Sequence, residues 1–384
     1  MNTKHKSVLI LFAMLLAVMS FSFGQVVKDN IVLGQTISID SQILNETRDI
    51  FVYKPEGYKQ SEESYPVLYV LDGETKFFIA AAIVNFLVRN QRIPRMIVVG
   101  IPNVARNRDF TPILDESMQN SGGADNFIRF LNEELIEFID STYRTQDYKI
   151  LFGHSLCGMF STYALFTNPS LFNAHIAASP YLMMSNEYVI KKAKEVLITK
   201  PNLRNQLYMS IGNEPAYYTS LDKFTSIMMA NESGVNWTLE KYEEEDHGSI
   251  PFRTIADGLK FVFSDWQLTN DVTIKGVDAI KDHFQNKQNK YGFTNQITEA
   301  TLNIIGYQLL QADENKKAIE VFEYNVELYP NSANVYDSLG DGYDGKGKTK
   351  KALKNYKKAV ALGKLNNDVN LPAFENNVKR LSNK

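Results

Sequence analysis

The sequence predicts an α/β fold, a mostly parallel sheet flanked by helices on both faces, followed by a small all-α region. Three observations predict it. Continuous apolar runs stop abruptly at turn residues, as strands buried on both faces do. Stretches of helical spacing separate those runs, which is the order of repeated βαβ units. Beyond Trp266 the strands cease and a repetition with a period of 34 begins. At 384 residues, 44% hydrophobic and 22% charged, the chain can build two domains with full cores. Its formal charge of -3 argues against nucleic acid or an anionic membrane surface as the main partner.

The first element is a processing segment. Lys4 and Lys6 precede the apolar run from Val8 to Met19, and Ser22-Phe23-Gly24 places small residues just before Gln25. A basic, then apolar, then small-residue order reads as a cleavable signal peptide over residues 1–24 and implies a periplasmic or secreted protein. An uncleaved anchor is the alternative. After residue 24 no run approaches the roughly 18 apolar residues that cross a bilayer. Export permits disulfides, yet Cys157 is the single cysteine. The core alone must hold the fold.

Residues 25–268 carry the alternation. Two early strands fall between Ile31 and Tyr53. Pro66–Leu71 is a buried strand ended by Asp72-Gly73, and a helical stretch covers 75–91. Met96–Ile101 is the next strand, and Phe127 to Ile139 marks an amphipathic helix. Strand Tyr148–Phe152 precedes a helix from Met159 to Phe166. Strands 174–178, 206–211 and the short 237–239 complete the series, with a helix after it.

Residues 269–384 read as helix. Ile305-Gly306 matches Leu339-Gly340, Ala318 matches Ala352, and Phe322 matches Tyr356, each pair 34 apart. That period and pattern are the tetratricopeptide (TPR) signature. Two units need their ends covered, by flanking helices near 275–296 and 366–381 or by the first domain. The repeat offers a concave face to a peptide or protein partner, or packs on the first domain and shapes its entrance; two units favour packing. Gly342 to Thr349 also spells G-x-x-x-x-G-K-T. A phosphate loop requires a preceding strand, and here a helix precedes, so nucleotide binding is not expected.

The chemistry centres on Gly153-His154-Ser155-Leu156, which follows a buried strand and precedes a helix. That is the context of a nucleophile elbow, the strand-to-helix turn of the α/β-hydrolase fold. The full pattern is G-x-S-x-G, and Cys157 stands at its last position with Gly158 beyond. A serine needs a base. His5 leaves with the signal, His154 adjoins the serine and should point elsewhere, His175 lies in an apolar strand, and His283 falls on a solvated helix. His247 remains, in a polar loop before the last helix of the domain, third in the order serine, acid, histidine. Glu214, after strand 206–211, is the first choice of acid, with Asp222 second and the Glu243–Asp246 run a solvated turn. The Leu156 amide and that of Gly73 or Glu74 are the expected oxyanion donors. Asp72, Tyr181 and Tyr217 are the expected substrate contacts, with Tyr218, Phe77 and Phe78 nearby. Cys157 reads as a structural thiol facing the packed helix. No metal motif and no cofactor motif is present.

Together, Tyr65-Pro66-Val67-Leu68-Tyr69-Val70-Leu71-Asp72-Gly73, Arg108-Asp109-Phe110-Thr111-Pro112, Gly153-His154-Ser155-Leu156, Ala178-Ser179-Pro180 and His247-Gly248-Ser249-Ile250-Pro251 resemble the esterase D-like family of α/β-hydrolases. Within it they look most like the bacterial siderophore-ester hydrolases. The resemblance covers about residues 30–268. It implies a serine esterase that cleaves a small-molecule carboxylic ester through an acyl-enzyme, with Ser155, His247 and Glu214 at the nucleophile, base and acid positions. Where Cys157 stands the family has Gly. An acyl transferase of the same fold and a non-catalytic module that recruits a partner through its repeat are the competing readings. A non-catalytic descendant would usually have lost Ser155 or His247, and both remain.

Overall fold

Every residue of Tyr65–Leu71, Ile97–Ile101, Ala174–Ala178 and Gln206–Ile211 is buried, as strands sandwiched between two helical layers must be. The computed structural model describes residues 32–199, 202–231, 234–292 and 297–382; the expected signal segment, 1–24, lies outside them. Eight described strands make one sheet: β1 (Gln35–Ser41), β2 (Glu46–Tyr53), β3 (Tyr65–Leu71), β4 (Ile97–Ile101), β5 (Thr145–His154), β6 (Ala174–Ala178), β7 (Gln206–Ile211) and β8 (Asn236–Lys241). Their order is β1-β2-β4-β3-β5-β6-β7-β8. The first two strands pair antiparallel, β2 joins β4 antiparallel, and every later pairing is parallel.

β1 and β2 both lie within the span 31–53 expected to hold two strands. The residues of β1 alternate in exposure along the sheet edge, the pattern of a half-buried strand. In the central strands, alternate residues serve the two faces. Tyr65, Val67, Tyr69 and Leu71 join Leu151, Ala177, Leu207 and Met209 in a core shared with helix Leu156–Thr167 and with the helical stretch 124–142, which contains a π-helical turn at Leu131–Leu135. On the opposite face Ile176 and Tyr208 close around Gly258 of helix Ile250–Val262. Helix Gly73–Arg89 lies beside that helix and buries Phe77 against Phe51 and Gly100. Phe77 is therefore core, whereas Phe78 is exposed.

Asp109-Phe110-Thr111 turns out to be a buried anchor, with Arg108 half-buried beside it. Arg48, 1% exposed, pairs with Asp109 and Glu46 and lies over the rings of Phe127 and Phe130. Thr111 Oγ1 accepts from the Gly122 amide at 2.6 Å and donates to the Asn107 carbonyl at 2.6 Å, closing the loop between them. Another junction is conformationally unusual. Ser185, Asn186 and Glu187 all have φ between 47° and 61° before the right-handed part of Met184–Thr199 begins. Each such residue costs about 1–2 kcal/mol; at this junction Ser185 donates to Asp115 at 2.8 Å and Glu187 pairs with Lys223.

After Ile250–Val262 the regular elements among the described residues are all helices. Val277–Tyr291 docks on the end of the sheet where β5 and β7 begin. Tyr291 is buried, its hydroxyl donating to the Val262 carbonyl at 3.0 Å and to Asp265, its ring 5.1 Å from those of Tyr148 and Phe263. Lys287 is also buried, donating to the Trp266 carbonyl at 3.0 Å with its ammonium 3.8 Å from the indole centroid. Burial lowers its pKa to about 8. His283, expected to be solvated, is half-buried with Nε2 shielded, because this helix is docked on one face. Helices Glu299–Gln311, Asn315–Leu328, Ala333–Gly345, Thr349–Asn366 and Leu371–Ser382 follow. Gly306 abuts Phe322 and Gly340 abuts Tyr356, the same close crossing 34 residues on. Phe374 of the last helix is buried against Gly363. Gly342–Gly345 belongs to a helix with another helix before it, not a strand.

Candidate active site

The site gathers at the ends where β3, β5, β6 and β7 finish. β5 stops at His154, a helix starts at Leu156, and Ser155 between them has φ 58° and ψ -117°. Such a conformation costs about 1–3 kcal/mol and persists only where its surroundings fix it. Here they do. The Ser155 amide donates to the Ala178 carbonyl at 2.9 Å, and its own carbonyl accepts from the amides of Met159 at 3.0 Å and Tyr181 at 3.1 Å. The turn also explains its glycines. A Cβ on Gly153 would lie 2.1 Å from the Cys157 carbonyl oxygen, and one on Gly158 would lie 2.9 Å from that of Ala178.

Glu214 precedes helix Pro215–Ala230 and is 9% exposed. One carboxylate oxygen meets His247 Nδ1; the other accepts from Ser179 Oγ and from the Gly212 amide at 3.3 Å. The acid and histidine loops are joined by backbone as well, since the Asn213 amide donates to the Glu245 carbonyl at 2.8 Å. Asp246 then shapes the histidine loop. It accepts from the amides of Gly248 at 2.9 Å and Ser249 at 2.8 Å, while Ser249 Oγ accepts from the Asp246 amide at 3.0 Å. Those amide bonds hold its carboxyl below the usual range. The acidic run is thus part of the loop's framework rather than only a solvated turn. Asp222 stands elsewhere, in a groove with Glu187, Lys191 and Lys223.

His154 does not point away. Its ring lies 4.5 Å from that of His247, because the last residue of β5 faces the loop that descends over it. Burial, then the neighbouring His247 and Lys76, push its pKa down to about 4, so it stays neutral. Tyr217 packs 5.5 Å from His247 and 5.8 Å from Tyr181, whose amide donates to the Ser155 carbonyl at 3.1 Å. Ser155, His247, Glu214, Tyr217 and Tyr181 therefore share one neighbourhood. Tyr218 instead braces the acid loop, its hydroxyl donating to the Gly212 carbonyl at 3.0 Å. His175 is fully buried in β6, with Nδ1 3.2 Å from Ser161 Oγ.

Leu156, Gly73 and Glu74 all occupy the first turns of helices, where amides lack intrahelical acceptors. Asp72, expected to touch substrate, spends its carboxylate on Arg106 at 2.9 and 3.1 Å and on Asn103 at 2.6 Å. Cys157 is buried in the core cluster, and Arg106 Nη2 of that ion pair comes within 3.7 Å of its Sγ. Sequence reasoning missed Ser179, His154, Arg106 and Asn103. Ser179 alone had a signal, its place immediately after a buried strand. Among the described residues no cluster of three or more His, Cys, Asp or Glu side chains is arranged to hold a metal ion, and no helix is long and apolar enough to cross a membrane.

The family model described as "Putative esterase" matches residues 41–303. The ferri-bacillibactin esterase BesA of Bacillus subtilis is 28% identical over 248 residues, 56% of this chain and 85% of that protein. An IroE-like serine hydrolase from Shewanella oneidensis superposes with a TM-score of 0.66 at 27% identity, over 77% of this chain and 99% of the other. An uncharacterised protein from Capnocytophaga ochracea shares the fold over 91% of this chain and 100% of its own, with a TM-score of 0.69 at 18% identity.

Proposed function

Because the chain belongs to the "Putative esterase" family and is a carboxylic ester hydrolase, we propose that it is an exported serine esterase working through an acyl-enzyme, with Ser155 as nucleophile. The observation that carries the assignment is the contact of Glu214 with His247 Nδ1, beside an elbow serine. It keeps the Nδ1 proton on the imidazole and leaves Nε2 to take the Ser155 proton. Ser155 Oγ then attacks the ester carbonyl, and the oxyanion meets the Leu156 amide and that of Gly73 or Glu74. His247 returns the proton to the departing alcohol. Water, activated by the same imidazole, releases the acid and frees Ser155.

The substrate we propose is a siderophore-type ester or another ester of an aromatic acid. BesA acts on ferri-bacillibactin by its name, and the rings of Tyr181 and Tyr217 lie side by side next to His247 and the elbow backbone, where an aromatic acyl group can stack. Residues 25–268 form the hydrolase domain and 269–384 a TPR-like domain in this reading. The 34-residue spacing of the Gly306–Phe322 and Gly340–Tyr356 crossings supports the second. The test is labelling with a fluorophosphonate, followed by a panel of p-nitrophenyl, feruloyl and catecholate esters. Wild type and Cys157→Ser should label and Ser155→Ala should not; labelling of Ser155→Ala would remove the nucleophile from the scheme.

A further inference from the structure

Residues 345–367 hold eight lysines and no aspartate or glutamate, in a chain whose net charge is -3. On helix Thr349–Asn366, Ala352, Tyr356, Ala359, Leu362 and Gly363 are buried. The opposite face shows Lys350, Lys351, Lys354, Lys357, Lys358 and Lys364, all exposed. At 3.6 residues per turn these six share an arc of about 140°. Lys346 and Lys348, also exposed, continue the row beyond the N-terminal end of the helix. Lys364 pairs with Glu375 at 3.1 Å, and among the described residues the other seven form no salt bridge. The ammonium of Lys351 lies 5.0 Å from the Tyr343 ring and that of Lys358 lies 5.8 Å from the Tyr336 ring, contacts that steady the stems.

Stability of the helix does not ask for this pattern. Cations near a helix N-terminus oppose its dipole, and the first turn holds no acid. Like charges four residues apart, as at Lys350 with Lys354 and Lys354 with Lys358, repel. The equivalent helix one repeat earlier, Asn315–Leu328, takes the other course: Lys316 pairs with Glu320 at 3.9 Å and Lys317 with Glu314 at 3.2 Å. Where the lysines end, two large apolar side chains stand in solvent, Leu365 at 76% exposed and Val369 at 89%. Leu365 falls within the lysine arc.

We propose that this face docks the protein on an anionic phospholipid surface, the lysines at the headgroup phosphates and Leu365 and Val369 in the interfacial layer. A basic helix face with apolar side chains beside it suits such a surface. The net charge of the whole chain does not oppose it, because in salt a charge acts over only about 8–10 Å, and the local row decides. A soluble polyanion would satisfy the lysines and leave Leu365 and Val369 in water. The inference is independent of the esterase reading.

The test uses residues 25–384, which carry every described element and lack the apolar run at 8–19 that would itself enter lipid. Co-sedimentation with vesicles of phosphatidylcholine, alone or mixed with phosphatidylglycerol, gives a partition coefficient. Wild type should bind the mixed vesicles at least about tenfold better than the neutral ones, and that advantage should vanish as salt is raised from about 0.1 M toward 1 M. Each lysine at such a surface is worth about fivefold, so Lys350→Gln/Lys354→Gln/Lys357→Gln/Lys358→Gln should lose about 100-fold or more. Leu365→Ser/Val369→Ser should lose about tenfold. Glutamine forms helix nearly as well as lysine, and circular dichroism checks both folds; if a variant misfolds, the salt series on wild type carries the test. Wild type that ignores phosphatidylglycerol, or a lysine variant that binds as wild type does, overturns the proposal. So does an unchanged Leu365→Ser/Val369→Ser, since the face would then be one for a soluble polyanion.

Discussion

Replacing Glu214 by Gln tests the acid at almost constant volume. Its carboxylate faces three donors: His247 Nδ1, Ser179 Oγ and the Gly212 amide. Gln has one acceptor oxygen and one NH2 group. If the oxygen turns to His247, the NH2 meets the fixed Gly212 N–H and one donor is buried unmet, at about 1–3 kcal/mol. If the NH2 turns to His247, Nδ1 must accept, the ring proton moves to Nε2, and the base is lost. The second outcome costs about 10⁴ in kcat where an equivalent change has been made in a serine protease, or about 5 kcal/mol at 1.36 kcal/mol per tenfold. The expectation for Glu214→Gln is therefore about a 10³–10⁴-fold fall in kcat with KM changed less than about threefold. Steady-state kinetics on an activated ester read both, and a denaturation midpoint checks the fold. A variant within tenfold of wild type would show that His247 does not depend on this carboxylate.

Gly340→Ala would drive a Cβ to 2.4 Å from the Tyr356 ring, so the helical region should lose about 1–3 kcal/mol. Esterase kcat should stay unchanged; calorimetry beside an activity assay separates the two, and a parallel loss of kcat would contradict independence of the two ends. His154 is buried neutral with a pKa lowered from 6.5 to about 4. The unfolded chain binds its proton first, so stability is complete above about pH 6.5 and falls as pH drops toward 4, each pH unit within that window removing up to about 1.4 kcal/mol. Urea midpoints from pH 7 to pH 4 should fall less steeply in His154→Phe than in wild type; equal slopes would mean that His154 is solvated.

What the sequence made legible was local. Ser155 could be found because a buried strand, a glycine and a helix start sit within a few residues of it. Glu214 could be found because β7 ends three residues earlier. The rest depends on how loops distant in sequence meet. Ser179 reaches Glu214 across 35 positions, and Arg106 reaches Asp72 across 34 and Cys157 across 51. No periodicity records such encounters. His154 was misjudged for the same reason: a tight turn says which way the serine points, but the partner of its neighbour arrives from a loop more than ninety residues away. Asp72 was expected to contact substrate, and what the sequence did not show is that two later residues, Asn103 and Arg106, bind its carboxylate. Secondary structure was not legible in the left-handed stretch at Ser185–Glu187, where no local pattern announces three consecutive residues of positive φ.

Tyr291 and Lys287 fasten the trailing helices to the floor of the sheet, through Tyr148, Val262 and Trp266, whereas Ser155 opens at its roof. Whatever grips those helices, a scaffold or an immobilised surface, would hold the molecule from behind. The mouth would still face outward, free to take in and expel small molecules. Handle and blade sit at opposite poles.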